Sequence, residues 1–138
     1  MSQGLRRRWF FAFSVLLPPV GLGLRGLAVR HVNFALGFAP DVLWALLVYC
    51  LVVVLWPRAS LARSGVLALG VAWSVELGQL IRWPWLVALR ATRVGGLLLG
   101  TTFLWSDMAS YAVGVMVGLA LDWGLRRWSC GGSCKESR

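Results

Sequence analysis

The chain has 138 residues, 59% of them hydrophobic and only 14% charged, a balance that excludes an ordinary soluble domain of this size and points to lipid as the main solvent. That length accommodates about four helices of roughly 20 residues, the number needed to cross a hydrocarbon core about 30 Å thick, and leaves nothing for a second domain. The net charge of +9 does not mark a nucleic-acid reader, because the basic residues, of which only Lys135 is lysine, sit between apolar runs rather than on one polar face.

The first apolar segment runs from Trp9 to Leu24, behind Arg6, Arg7 and Arg8. A signal peptide begins the same way, but Pro18, Pro19, Arg25 and Arg30 follow where a small-residue cleavage site would stand, so a retained helix is expected. The second segment, Val42 to Trp56, is introduced by Pro40 and Asp41, a good helix start because a carboxylate in the first turn accepts from unpaired N–H groups. The third runs from Gly65 to Ile81 and the fourth from Met108 to Leu125, opened by Ser106 and Asp107. All-α architecture follows: a polytopic bundle of four membrane helices in one domain, residues 1–128, with a flexible polar tail at 129–138.

Between the third and fourth helices, Trp83, Pro84 and Trp85 suit the headgroup level and predict a short surface helix from Trp85 to about Arg90. The glycine-punctuated run from Val94 to Gly100 is a candidate re-entrant loop. With four crossings, one side collects nine basic residues: Arg6, Arg7, Arg8, Arg58, Arg63, Arg126, Arg127, Lys135 and Arg138. The other holds five: Arg25, Arg30, Arg82, Arg90 and Arg93. Subtracting Asp122 and Glu136 from the first side and Asp41, Glu76 and Asp107 from the second leaves +7 and +2, which together make the +9 of the chain. Basic flanks stay cytoplasmic, so both termini are expected inside and Glu76 near the outer end.

Glu76 interrupts an apolar helix, where an unpaired carboxylate costs about 2.5 to 3.5 kcal/mol on insertion scales, so it needs partners. Gln79 and Trp83 follow at helical spacing and are expected on its face. On the fourth helix Asp107, Tyr111, Gly114, Gly118 and Asp122 form one stripe within an arc of about 80°, in which Gly114 and Gly118 permit close helix packing. Asp122 stands one turn before Arg126, the spacing of an intrahelical ion pair.

Asp41 joins this outer group from the second helix, with Arg25, Arg90 and Arg93 from the connections. Two readings fit. The group is either a self-satisfied polar network that fixes helix order, or a pocket for an anionic group such as a lipid headgroup, in which Arg supplies its planar fork. No catalytic, metal or cofactor constellation stands out: His31 is the single histidine, Cys50 reads as a small apolar residue, and Cys130 and Cys134 make a poor metal site without further ligands. Membrane lipids are the expected partners, with a partner membrane protein or a second copy docked on the glycine stripe as an alternative. A small transporter or membrane enzyme using Glu76 as proton acceptor is a further alternative.

Several of these residues stand in ordered motifs: Pro40-Asp41, Trp44 and Tyr49; Glu76-Leu-Gly-Gln79; Arg90-Ala-Thr; and Leu99-Gly100-Thr-Thr-Phe103 through Asp107 to Tyr111. From about Arg25 to Asp122 the chain resembles the bacterial domain-of-unknown-function family 2809, which implies an inner-membrane helical protein and no particular activity. More distantly, Glu76, Gln79, Arg90, Asp107 and Gly114 resemble a pattern of VanZ-like membrane proteins, which implies an envelope or lipid-linked role by analogy. Tyr111 stands where that pattern favours Asn.

Overall fold

The computed structural model describes residues 3–31, 34–92, 94–96 and 103–131, with the backbone alone described at 3, 25–31, 34–37 and 129–131. Its regular structure is helical throughout: α1 (Gln3–His31), α2 (Phe34–Leu55), α3 (Leu61–Gly78), α4 (Pro84–Ala91) and α5 (Trp105–Gly131). No strand occurs among the described residues.

Most helices overrun the apolar segments that announce them. α1 continues through Pro18 and Pro19, and α2 begins at Phe34 rather than at Pro40, which lies inside it. In an apolar setting a non-helical stretch leaves many N–H and C=O groups unpaired, whereas an internal proline sacrifices one donor, so the helix wins. α3 is displaced towards the N-terminus of its apolar segment: Ser60 caps it, its hydroxyl accepting from the Arg63 N–H at 3.3 Å, and Gln79 closes it. Trp83 therefore precedes α4 and does not share the Glu76 face of α3, because the chain turns at 79–80. The short helix expected from Trp85 is present as α4, with Pro84 at its first position, where a missing donor costs nothing. Thr92 then closes α4 and opens a helical turn at 94–96, its hydroxyl accepting from Gly95 N at 3.0 Å. The remainder of the expected re-entrant loop lies outside the described residues. α5 has Asp107 in its first turn and runs on to Gly131; the rest of the expected tail also lies outside.

α2 is the central element, packed against α1, α3 and α5, while α3 also packs on α5. Small residues set the spacing. α3 buries Ser64, Gly65, Ala68 and Ala72, and a Cβ on Gly65 would already stand 3.2 Å from Leu119 of α5. On α5, a Cβ on Gly114 would collide with the Val42 carbonyl and Ala45 of α2, and one on Gly118 with the Tyr49 ring. The two glycines are thus covered by α2 of the same chain. α1 adds Phe10, fully buried and 6.1 Å from the Tyr49 ring.

The exterior is strongly apolar: Val66, Trp105 and Trp128 are 73%, 76% and 82% exposed, whereas Glu76 and Asp122 have no exposure at all. Among the described residues two helical stretches, Phe38–Leu55 of α2 and Trp105–Trp128 of α5, are long and apolar enough to cross a membrane. α3, also expected to cross, falls short of that mark, its 18 residues including Arg63 and Glu76, and α1, whose side chains are described only as far as Leu24, adds no third stretch among the described residues.

A candidate binding site at the Glu76 end of the bundle

Glu76 lies in the last turn of α3, on the buried face begun by Ser64, Ala68 and Ala72 at four-residue intervals. Three donors meet its carboxylate. The Tyr111 hydroxyl and the Gln79 amide donate to Oε2 at 2.9 and 2.8 Å, and the Leu104 N–H donates to Oε1 at 3.0 Å. None of the three is a cation. Tyr111 reaches this position because α5 presents it on the same face as Gly114, and Trp44 of α2 packs 5.4 Å from its ring.

The Arg90 guanidinium does something else. Arg90 of α4 donates from Nη2 to the Gly78 carbonyl at 2.7 Å, and from Nη1 to the Ile81 carbonyl at 3.0 Å and the Gln79 carbonyl at 3.5 Å. These carbonyls belong to the end of α3 and the turn beyond it, where only that of Gly78 also accepts a backbone N–H, from Ile81 at 3.0 Å, and a cation there also suits the helix dipole. Arg90 therefore serves as a remote cap that ties α4 to α3. The ion pairs whose partners are both described, Arg6–Asp122 and Arg126–Asp122, lie at the other end.

A cleft of about 660 Å³ opens beside this cap, lined by Gln79, Leu80, Arg82, Val87, Arg90, Ala91 and Phe103. Two of its polar residues have unspent capacity: Gln79 Oε1 and Arg90 Nε are buried without a hydrogen-bond partner. Glu76 explains the first. A carboxylate accepts and cannot donate, so it takes the NH₂ side of the Gln79 amide and leaves the carbonyl oxygen unengaged. A buried unsatisfied polar atom costs about 1–3 kcal/mol, so each of these two residues of the cleft wall carries a polar group that gains from a partner.

The other residues expected here divide by location. Asp41 is half-buried on α2, next to Val42, and Asp107 is half-buried at the start of α5, where its Oδ1 accepts from the Ser106 hydroxyl at 3.1 Å. Neither lines the cleft. Arg25 belongs to α1, which continues past the expected end at Leu24, and its side chain, like that of His31, is not described. Arg93 lies outside the described residues. Cys50 is buried and free, and no group of metal-ligating side chains occurs among the described residues.

A second buried carboxylate closes the opposite end. Asp122 accepts from Arg6 Nε at 2.7 Å and Nη2 at 2.6 Å, from the Tyr49 hydroxyl at 3.0 Å, and from Arg126 Nε and Nη2 at 3.2 Å each. Arg6 also donates to the Pro57 carbonyl at 2.6 Å, and Arg126 to the Ala59 carbonyl at 3.0 Å. The expected Asp122–Arg126 pair is present, but the stronger interaction is the two-pronged one with Arg6, 116 residues away. A signal for it did exist in the sequence, since four crossings put Arg6 and Asp122 on one side.

Compared with known protein families, the chain matches the model described as "Protein of unknown function (DUF2809)" over residues 30–115. The match covers more than half of the chain, which therefore belongs to this family. It takes in Glu76, Gln79, Arg82, Arg90, Phe103 and Tyr111, and leaves Arg6, Asp122 and Arg126 outside. No solved structure matches the chain.

Proposed function

We propose that this member of the DUF2809 family is a four-crossing protein of the bacterial inner membrane that binds an anionic group at its outer end. α2 and α5 are the two crossings with the length and hydropathy for it. α3, with 18 residues at about 1.5 Å each, reaches about 27 Å, close to the roughly 30 Å of a hydrocarbon core. α1 is longer still, at 29 residues, and its outward side chains include Trp9, Phe11, Val15 and Leu16. The excess of basic residues on the Asp122 side supports cytoplasmic termini. Cys130 and Cys134 provide the check: an impermeant thiol reagent added to intact cells leaves them unlabelled and labels them after permeabilisation, and labelling from outside inverts the topology.

The observation that carries the binding reading is that two residues lining the cleft beside Arg82, Gln79 and Arg90, each keep a buried polar atom without a partner, Oε1 and Nε. An anionic headgroup brings acceptors for the guanidiniums, and its hydroxyl or ammonium groups bring donors for the amide oxygen. Glu76 acts at one remove in this scheme, by orienting Gln79. No step of bond making or breaking is needed, and the protein is read as a binder rather than an enzyme. The VanZ-like resemblance points the same way, on its five matching positions alone. Lipid co-purifying with the protein, identified by native mass spectrometry, is expected to fall in Arg90→Ala and in Glu76→Gln. Unchanged retention in both variants contradicts the reading.

A further inference from the structure

A groove of about 520 Å³ adjoins the cleft and shares Arg90 with it. It follows α3 from Val66 and Leu67 through Gly70 and Val71 to Gly78, with Leu86 of α4 across its end. Its polar content is small. The Ser74 hydroxyl, the one side-chain donor in its wall apart from Arg90, is spent on the Gly70 carbonyl at 2.6 Å.

The glycines of α3 are of two kinds. Gly65 faces α5, where a Cβ would press on Leu119 at 3.2 Å, so its lack of a side chain serves helix packing. Gly70 and Gly78 line the groove, and a Cβ at either would meet nothing within 4 Å. Their missing side chains deepen a trough that the protein itself does not fill. From Val66 to Gly78 the trough runs about 18 Å at about 1.5 Å per residue, close to the depth of one leaflet of a hydrocarbon core about 30 Å thick.

We propose that cleft and groove are the two halves of one site for a single phospholipid, with its phosphate held by Arg90 and Arg82 and an acyl chain laid along α3. The proposal rests on the reading that the cleft takes an anionic group, and it adds the kind of molecule that carries the group. Three features select a lipid over a free anion. The cation stands at the junction of polar cleft and apolar trough, as the phosphate of a lipid stands between its headgroup and its chains. The trough is largely apolar, and its length of about 18 Å is close to the thickness of one leaflet. Arg90 retains two of its five N–H donors after capping α3, one on Nε and one on Nη2, and Arg82 makes no hydrogen bond within the described residues that would compete for a phosphate.

The test is a titration of the purified full chain in mild detergent with phosphatidylglycerol, read by native mass spectrometry, on the wild type and on Arg90→Ala, Arg82→Ala, Gly70→Phe and Val113→Phe. The phenylalanine at 70 enters open space and blocks the trough, whereas the one at 113 sits on the exposed face of α5 as a control. The wild type is expected to saturate with one bound lipid, with binding weakened at least about tenfold by Arg90→Ala and by Gly70→Phe and unchanged by Val113→Phe. Arg82→Ala, which removes no hydrogen bond within the described residues, is expected to weaken binding in the same direction, so the charge arm stays readable if Arg90→Ala unfolds. Weakening by the arginine variants but not by Gly70→Phe overturns the trough and leaves the anion cleft standing. Arginine variants that bind like the wild type overturn the cleft reading and this proposal together. Inorganic phosphate that displaces the lipid as readily as added phosphatidylglycerol assigns the cleft to a free anion and overturns the proposal alone.

Discussion

The bundle buries one carboxylate at each end, and the surroundings of the two differ in kind. Asp122 is met by two guanidiniums and a phenol, and the same guanidiniums donate to the Pro57 and Ala59 carbonyls at the α2–α3 turn. Arg6 and Asp122 themselves leave no buried atom without a partner, and the one unpaired atom near them is the Ser64 hydroxyl in the first turn of α3, away from the cleft. Among the described residues Glu76 is met only by neutral donors, and Arg90 caps α3 instead. There two buried atoms remain without partners, in the wall of a cleft. A closed set of valences holds helices together; an open set beside a cleft is what the proposed ligand would complete.

The comparison can be broken most strongly at Asp122. Asp122→Ala strands Arg6 in the interior, and losing one partner of a buried pair is expected to cost about 3–5 kcal/mol, measured by unfolding in detergent. A loss below about 1 kcal/mol would mean that Arg6 finds water or another acceptor, and that this end is not the clasp described. Glu76→Leu leaves the Tyr111 hydroxyl and the Leu104 N–H unpaired, an expected loss of about 1–3 kcal/mol in the same measurement. Gly114→Ala lies between the two ends. Its Cβ meets α2 backbone, so a loss of about 1–3 kcal/mol from overpacking is expected in spite of the better helix propensity of alanine. Equal or greater stability would mean that α5 can ride further from α2 than the structure has it. The smallest effect is expected for Arg126→Ala, below about 1 kcal/mol, because its side chain is 35% exposed and solvent screens the pair. If Arg126→Ala matches Asp122→Ala, the clasp is a three-membered unit rather than the Arg6–Asp122 pair with an accessory.

Helix content and order were readable from apolar runs, since exposed and core-facing residues are both largely hydrophobic and the runs are long. Helix ends were not. Pro40 and the Leu24–Arg25 boundary are good terminators in water, but in an apolar setting the backbone keeps its helix past them. At the site, the spacing of Glu76 and Gln79 was enough to place them together, and the shared stripe brought Tyr111 to the same carboxylate. The Leu104 N–H and the Phe103 wall could not be read, because backbone donors carry no signature in a sequence. Arg90 was legible as a residue of this end but not as a cap, since its partners are carbonyls exposed only by where α3 stops. The clasp was visible as charge on one side and lost in detail, because Arg6 and Asp122 stand at opposite ends of the chain.

The difference between the two ends is tested most directly by measuring phospholipid retention in Arg6→Ala and Arg90→Ala side by side, below the unfolding midpoint of both. The expected result is that Arg6→Ala unfolds more readily yet keeps its lipid, while Arg90→Ala loses the lipid while still folded. Retention that is equal in the two variants would contradict the division into a closed end that holds the bundle and an open end that binds.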